Sequence, residues 1–105
     1  EDKTKNILEN SLDVFIGDFV IEKGDYFDET KLNVTVRNKG ESRRSFFIKI
    51  EAVDKTGARL DTDMIYATDL NSGQEIHLEA FKYVAQDKIQ ELKSATFKVL
   101  EVLMY

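Results

Sequence analysis

The 105-residue sequence has no cysteine, no proline, no tryptophan and a single histidine. Without cysteine there is no disulfide framework, no thiol chemistry and no cysteine zinc site. One histidine, His77, is too few for a histidine-based zinc set. It is also the only base available to a serine-type triad, and no G-x-S-x-G elbow accompanies it. P-loop and G-x-G-x-x-G strings are missing too. No apolar run approaches the roughly 18 residues of a membrane span. With no nucleophile–base pair, metal set or cofactor motif, the expectation is a non-enzyme without a cofactor.

What is present is a globular composition, 42% hydrophobic and 33% charged. A chain of this size buries about two thirds of its unfolded surface, enough for one core. The net charge of −5 argues against non-specific nucleic-acid binding and against docking on anionic lipid. The sequence opens Glu1-Asp2-Lys3, without an initiator Met, as a fragment or processed chain would. That leaves room upstream for a signal peptide, lipid anchor or membrane helix. Residues 1–11 are polar and are expected to form a tether, with one domain over 12–105.

Period-two alternation dominates the rest. In Thr30–Arg37, Leu32, Val34 and Val36 point one way, and Lys31, Asn33, Thr35 and Arg37 the other. In Ser45–Asp54, Phe46, Ile48, Ile50 and Ala52 share a face opposite Lys49 and Glu51. Leu12–Glu22 alternates as well, with Gly17-Asp18 marking a bulge or bend. Leu60–Ala67 is a weaker strand whose Asp61-Thr62-Asp63 segment suits a sheet edge. Glu75–Val84 sets Ile76, Leu78 and Ala80 against His77, Glu79 and Phe81, so His77 belongs on the outer face. A short helical turn is expected within 86–92. Ala95–Met104 changes phase between Val99 and Leu100, which predicts a bulge or burial on both sides. Turns fall at Lys23–Thr30, Asp54–Gly57 and Asn71–Gly73. The expected fold is all-β, an antiparallel immunoglobulin-like β-sandwich of about seven strands.

The order of these motifs resembles the immunoglobulin-like sandwich domains of the FxLYD type, and the related telokin-like domains, of bacterial envelope proteins. Val36-Arg37-Asn38 stands where that family has V-x-N. Ile50–Asp54 stands at F-x-L-Y-D, followed by Gly57, and Leu70–Gln74 stands at L-x-P-G-E. Phe81 falls where a core aromatic follows. The signature Phe, Leu and Tyr are replaced by Ile50, Ala52 and Val53, and the turn proline by Ser72. The resemblance spans about Leu12 to Val102. It implies a non-enzymatic module, tethered or secreted, whose motif residues are structural.

Candidate chemistry outside that signature is thin. Asp61 and Asp63 share a strand face, and Asp25, Asp28 and Glu29 crowd one turn, but neither stretch has the EF-hand pattern. Phe15, Tyr26, Phe27 and Tyr83 are aromatic residues that a sandwich would use to close its ends. Asn33-Val34-Thr35 fits the glycosylation string, which matters only in a source that glycosylates secreted proteins. The segment Arg37–Lys49 carries five basic residues and one acid, +4 on an acidic chain. It reads first as a strand connection. Its residues Lys39, Arg43, Arg44 and, just beyond, Phe47 are the candidate protein-contact residues. The expected role is a non-catalytic module for protein–protein interaction or spacing, extracytoplasmic or in the cell envelope, as in a lipoprotein. Its partner would be another protein, not nucleic acid, with no membrane insertion by this segment. Two alternatives stand beside it. One is a small-ligand or carbohydrate-binding module on the same fold. The other is a cytoplasmic inhibitor or immunity-type protein that binds a basic partner.

Overall fold

The structure is a computed structural model, which describes residues 2–105. Its elements are α1 (Asp2–Asn10), β1 (Leu12–Glu22), β2 (Glu29–Asn38), β3 (Arg44–Val53), β4 (Arg59–Leu70), β5 (Glu75–Ala80), a 3-10 turn (Gln86–Lys88) running into α2 (Ile89–Lys93), and β6 (Thr96–Met104). Six antiparallel strands form two three-stranded sheets, ordered β1-β2-β5 and β4-β3-β6, packed face to face. The count is six against about seven expected, and Gly17 and Asp18 bend β1 without dividing it.

The central strands carry the core. Leu32, Val34 and Val36 of β2 and Phe46, Ile48, Ile50 and Ala52 of β3 are all buried. Each large apolar side chain withdrawn in this way contributes about 1.5–3 kcal/mol. The alternation that put them on one face therefore sets the register as well. Phe19, Phe97 and Phe81 add an aromatic chain through the interior, with ring centroids 5.5 and 5.4 Å apart.

Both expected bulges form. Ile16 faces Val34 and Phe19 faces Leu32, so Gly17 and Asp18 together oppose Asn33. In β6, Val99 faces Ile50 and Glu101 faces Lys49, leaving Leu100 as the extra residue. That single insertion produces the phase change read from the sequence.

Two expectations are corrected. The polar segment 1–11, expected as a tether, holds helix α1 over Asp2–Asn10. Ile7 and Leu8 pack against the core, and the buried Thr4 hydroxyl accepts from the Val102 amide at 3.1 Å and donates to its carbonyl at 3.5 Å. Val102 turns these groups away from β3, so α1 satisfies a free sheet edge. The strand expected to reach Val84 ends at Ala80. Phe81 adopts a left-handed backbone, φ 55°. Its amide is taken by the Asp63 carboxylate at 2.6 Å, and its carbonyl accepts from the Thr30 hydroxyl at 2.7 Å. The turn reverses the side chain, so Phe81 is buried and not on the outer face with His77.

Candidate protein-contact surface

The loop from Lys39 to Arg44 hangs from Asn38, a fully buried polar side chain. Its amide nitrogen donates to the carbonyls of Ser42 (2.9 Å) and Leu70 (2.8 Å), and its oxygen accepts from the Gly40 amide at 3.0 Å. The Asn38 backbone pairs with Gln74 and Gly73, and the Ser72 hydroxyl donates to the Gly40 carbonyl at 2.6 Å. The loop is therefore tied to the β4–β5 turn. Asn38 is the next residue after Val36 on the buried face of β2, and its side chain spans the two sheets.

The basic side chains of this loop have separate surroundings. Lys39 meets Asp13 of β1 at 2.9 Å, and Arg43 meets Asp69 at 3.6 Å. Asp69 stands in a β-bulge with φ 54°, and its amide donates to the Ser45 hydroxyl at 2.8 Å. Among the described residues, Arg44 and Arg37 have no ion-pair partner within 4 Å, although Glu75 lies opposite Arg37 in the sheet. Exposed pairs of this kind are worth about 0–1 kcal/mol. They orient the loop more than they stabilise it. The charge of +4 counted along the chain is thus partly offset in space by Asp13 and Asp69.

Phe47 sits elsewhere. It is half-buried on the outer face of the β4-β3-β6 sheet, where its ring packs edge-to-face on Tyr66, centroids 5.1 Å apart. The register puts Tyr66 on one side of Phe47 and Leu103 on the other. Met64 lies next along β4, and Tyr105, paired with Ser45 through its backbone, extends the row toward the basic loop. Tyr105 is 68% exposed, Tyr66 61% and Met64 48%. An apolar row thus crosses all three strands. Farther along, the same face becomes charged: Lys49, Glu101, Lys98 and the Arg59–Glu51 pair at 2.9 Å.

The outer face of the β1-β2-β5 sheet is polar by contrast. His77 is exposed there, with ring nitrogens 3.2 Å from Asn33 Oδ1 and 3.4 Å from Thr35 Oγ1. Phe15 is an isolated exposed ring on β1. Asp61 and Asp63 accept the amides of Thr62 (2.9 Å) and Met64 (2.8 Å) on the edge of β4. Their carboxylates therefore serve the backbone. Among the described residues, no three His, Asp or Glu side chains converge where a metal could be held, and no helix is long and apolar enough to cross a membrane.

Of the residues singled out in the sequence, the structure groups Lys39, Arg43 and Arg44 at one end of the sandwich and Phe47 on an adjoining face. The sequence reading missed Tyr66, Met64, Leu103 and Tyr105. Their signal was alternation in β4, where Met64 and Tyr66 fall out of phase with the core residues Ile65 and Ala67. Comparison with family models, curated proteins and solved structures found no match to this chain.

Proposed function

We propose that this chain is a non-catalytic, immunoglobulin-like β-sandwich module of a bacterial cell-envelope or secreted protein, and that it binds another protein through the outer face of the β4-β3-β6 sheet. The observation that carries this reading is the row of exposed Met64, Tyr66, Leu103 and Tyr105 around the half-buried Phe47, on a sheet whose other face already lies in the core. A continuous apolar row of that kind is characteristic of contact surfaces. Arg43 and Arg44 adjoin it at the end of the sandwich, so the partner is a protein surface with an apolar centre and an acidic rim.

The immunoglobulin-like assignment is supported by strand order. Orders β1-β2-β5 and β4-β3-β6 correspond to strands A-B-E and C′-C-F of such a sandwich. Helix α1 lies along β6, where a seventh strand would pair. The envelope assignment rests on the resemblance carried by Val36-Arg37-Asn38 and Leu70–Gln74. A carbohydrate-binding role is less well supported. Phe47 and Tyr66 are inclined at 60°, so they do not form the flat platform on which a sugar ring stacks.

The test is site-selective photo-crosslinking in the source cells. A benzophenone amino acid replaces Lys49, which borders the apolar row opposite Met64, or Thr35, on the outer face of the other sheet. A discrete adduct from position 49, absent from 35 and weakened by Arg43→Glu with Arg44→Glu, is the expected result. Equal adducts from both positions, or none from 49, would rule the surface out.

A further inference from the structure

We propose that the end of the sandwich opposite the basic loop is a second binding site, which takes a cationic side chain, lysine or arginine, from a partner polypeptide. This goes beyond the sheet-face contact and does not depend on it. Three aromatic rings gather at this end. Tyr26 is 97% exposed, Tyr83 94% and Phe27 59%. They line two adjoining hollows of about 650 and 440 Å³ that share Phe27 and Glu29 as a common wall. The sequence expectation was that such rings close the end of a sandwich; here they stand open around it.

The loops that carry the rings are held in place. The Gln86 side chain accepts from the Asp28 amide and donates to the Asp28 carbonyl, both at 3.0 Å. This joins the β1–β2 loop to the segment after β5. A Cβ on Gly24 would collide with the Phe27 carbonyl, so glycine permits the tight loop that presents Tyr26 and Phe27. The left-handed backbone at Phe81, clamped by Asp63 and Thr30, directs the chain out toward Tyr83. Backbone strain persists only where its surroundings over-determine it.

The charges give the sign of the ligand. Both lysines at the walls are engaged, Lys23 by Asp28 at 3.1 Å and Lys82 by Glu79 at 3.6 Å. Among the described residues, Glu22, Asp25 and Glu29 line the hollows without an ion-pair partner. The Lys82 ammonium already lies 6.0 Å from the centre of the Tyr83 ring. Open aromatic faces beside uncompensated carboxylates attract a cation by the ring quadrupole and by Coulomb attraction together. They disfavour an anion.

The experiment is an amide-resolved NMR titration of the whole chain with N-acetyl-lysine methylamide, N-acetyl-arginine methylamide and the neutral N-acetyl-norleucine methylamide. Saturable shifts confined to residues 24–29 and 82–86 are expected with the two cations and not with norleucine. Tyr83→Ala weakens the lysine response about three- to tenfold. Glu29→Gln weakens it as well. Tyr66→Ser leaves it unchanged, which keeps this site distinct from the sheet face. These residues are exposed, and unshifted resonances elsewhere report an intact fold in each variant. Norleucine binding as well as lysine, or the absence of a saturable shift with both cations, would overturn the proposal.

Discussion

At the scale of single residues, Asn38 shows how little of a side chain's role lies in its own neighbourhood. The sequence marks it as a turn residue, and it is one. Yet one of its buried partners, the Leu70 carbonyl, is 32 positions away, which no local pattern reveals. Asn38→Ala would leave the carbonyls of Ser42 and Leu70 and the Gly40 amide to find other partners in a buried place. A loss of about 3 kcal/mol is expected from urea denaturation, together with faster amide exchange at Gly40. Asp54 makes a different prediction. The Thr56 hydroxyl, then the amides of Thr56 and Ala58, hold its carboxyl below the usual carboxylate range. A depressed folded value means that the stabilisation is fully present above about pH 4 and is lost as pH falls through the folded value. The melting-temperature gap between the wild type and Asp54→Ala should therefore be widest near about pH 7 and narrow toward about pH 2. A gap independent of pH would assign the turn's stability to other groups.

At the scale of elements, the strands were legible wherever one face is buried, because period-two alternation follows directly from that burial. β2 and β3 are the clearest cases, and the two bulges showed as interruptions of the same rhythm. Helix α1 was not legible. Its apolar content is little more than Ile7 and Leu8, and only the spacing of Thr4, Ile7 and Leu8 hinted at one buried side. What holds it is tertiary, the edge of β6 at Val102. Thr4→Val retains the shape and removes the hydroxyl. It should cost about 1–2 kcal/mol in denaturant unfolding, with loss of exchange protection at the Val102 amide. The end of β5 was missed for a related reason, since Asp63 and Thr30, which pull Phe81 out of the ladder, lie far off in sequence. The edge of β4 was anticipated from Asp61-Thr62-Asp63, and its mechanism is now visible. Each aspartate occupies the amide that follows it, so those donors are closed to another strand. Asp61→Ala combined with Asp63→Ala should open that edge. Light scattering would show concentration-dependent association, whereas Asp61→Asn alone, which keeps an acceptor, would stay monodisperse like the parent.

At the scale of the whole molecule, charge and apolar surface are segregated in a way that a linear reading distorts. The basic run Arg37–Lys49 looked like the most distinctive feature of the chain. In space its Lys39 and Arg43 meet Asp13 and Asp69, and its aromatic neighbour Phe47 joins a row drawn from β3, β4 and β6. Phe47 could be found from its strand phase. The row could not, because it required knowing that β4 and β6 flank β3. The result is one polar outer face, one outer face with an apolar half, a basic end and an aromatic end with free carboxylates. None of the apolar row belongs to the core cluster, so the double variant Phe47→Ser with Tyr66→Ser should stay folded, losing the edge-to-face pair and melting about 5–10 °C below the parent. The most direct test of the contact surface is therefore the photo-adduct from position 49 measured in that double variant. The adduct should disappear while the cooperative unfolding transition and the lysine titration at the opposite end are retained. An adduct of undiminished yield in the folded variant would contradict the assignment of this face as the contact surface.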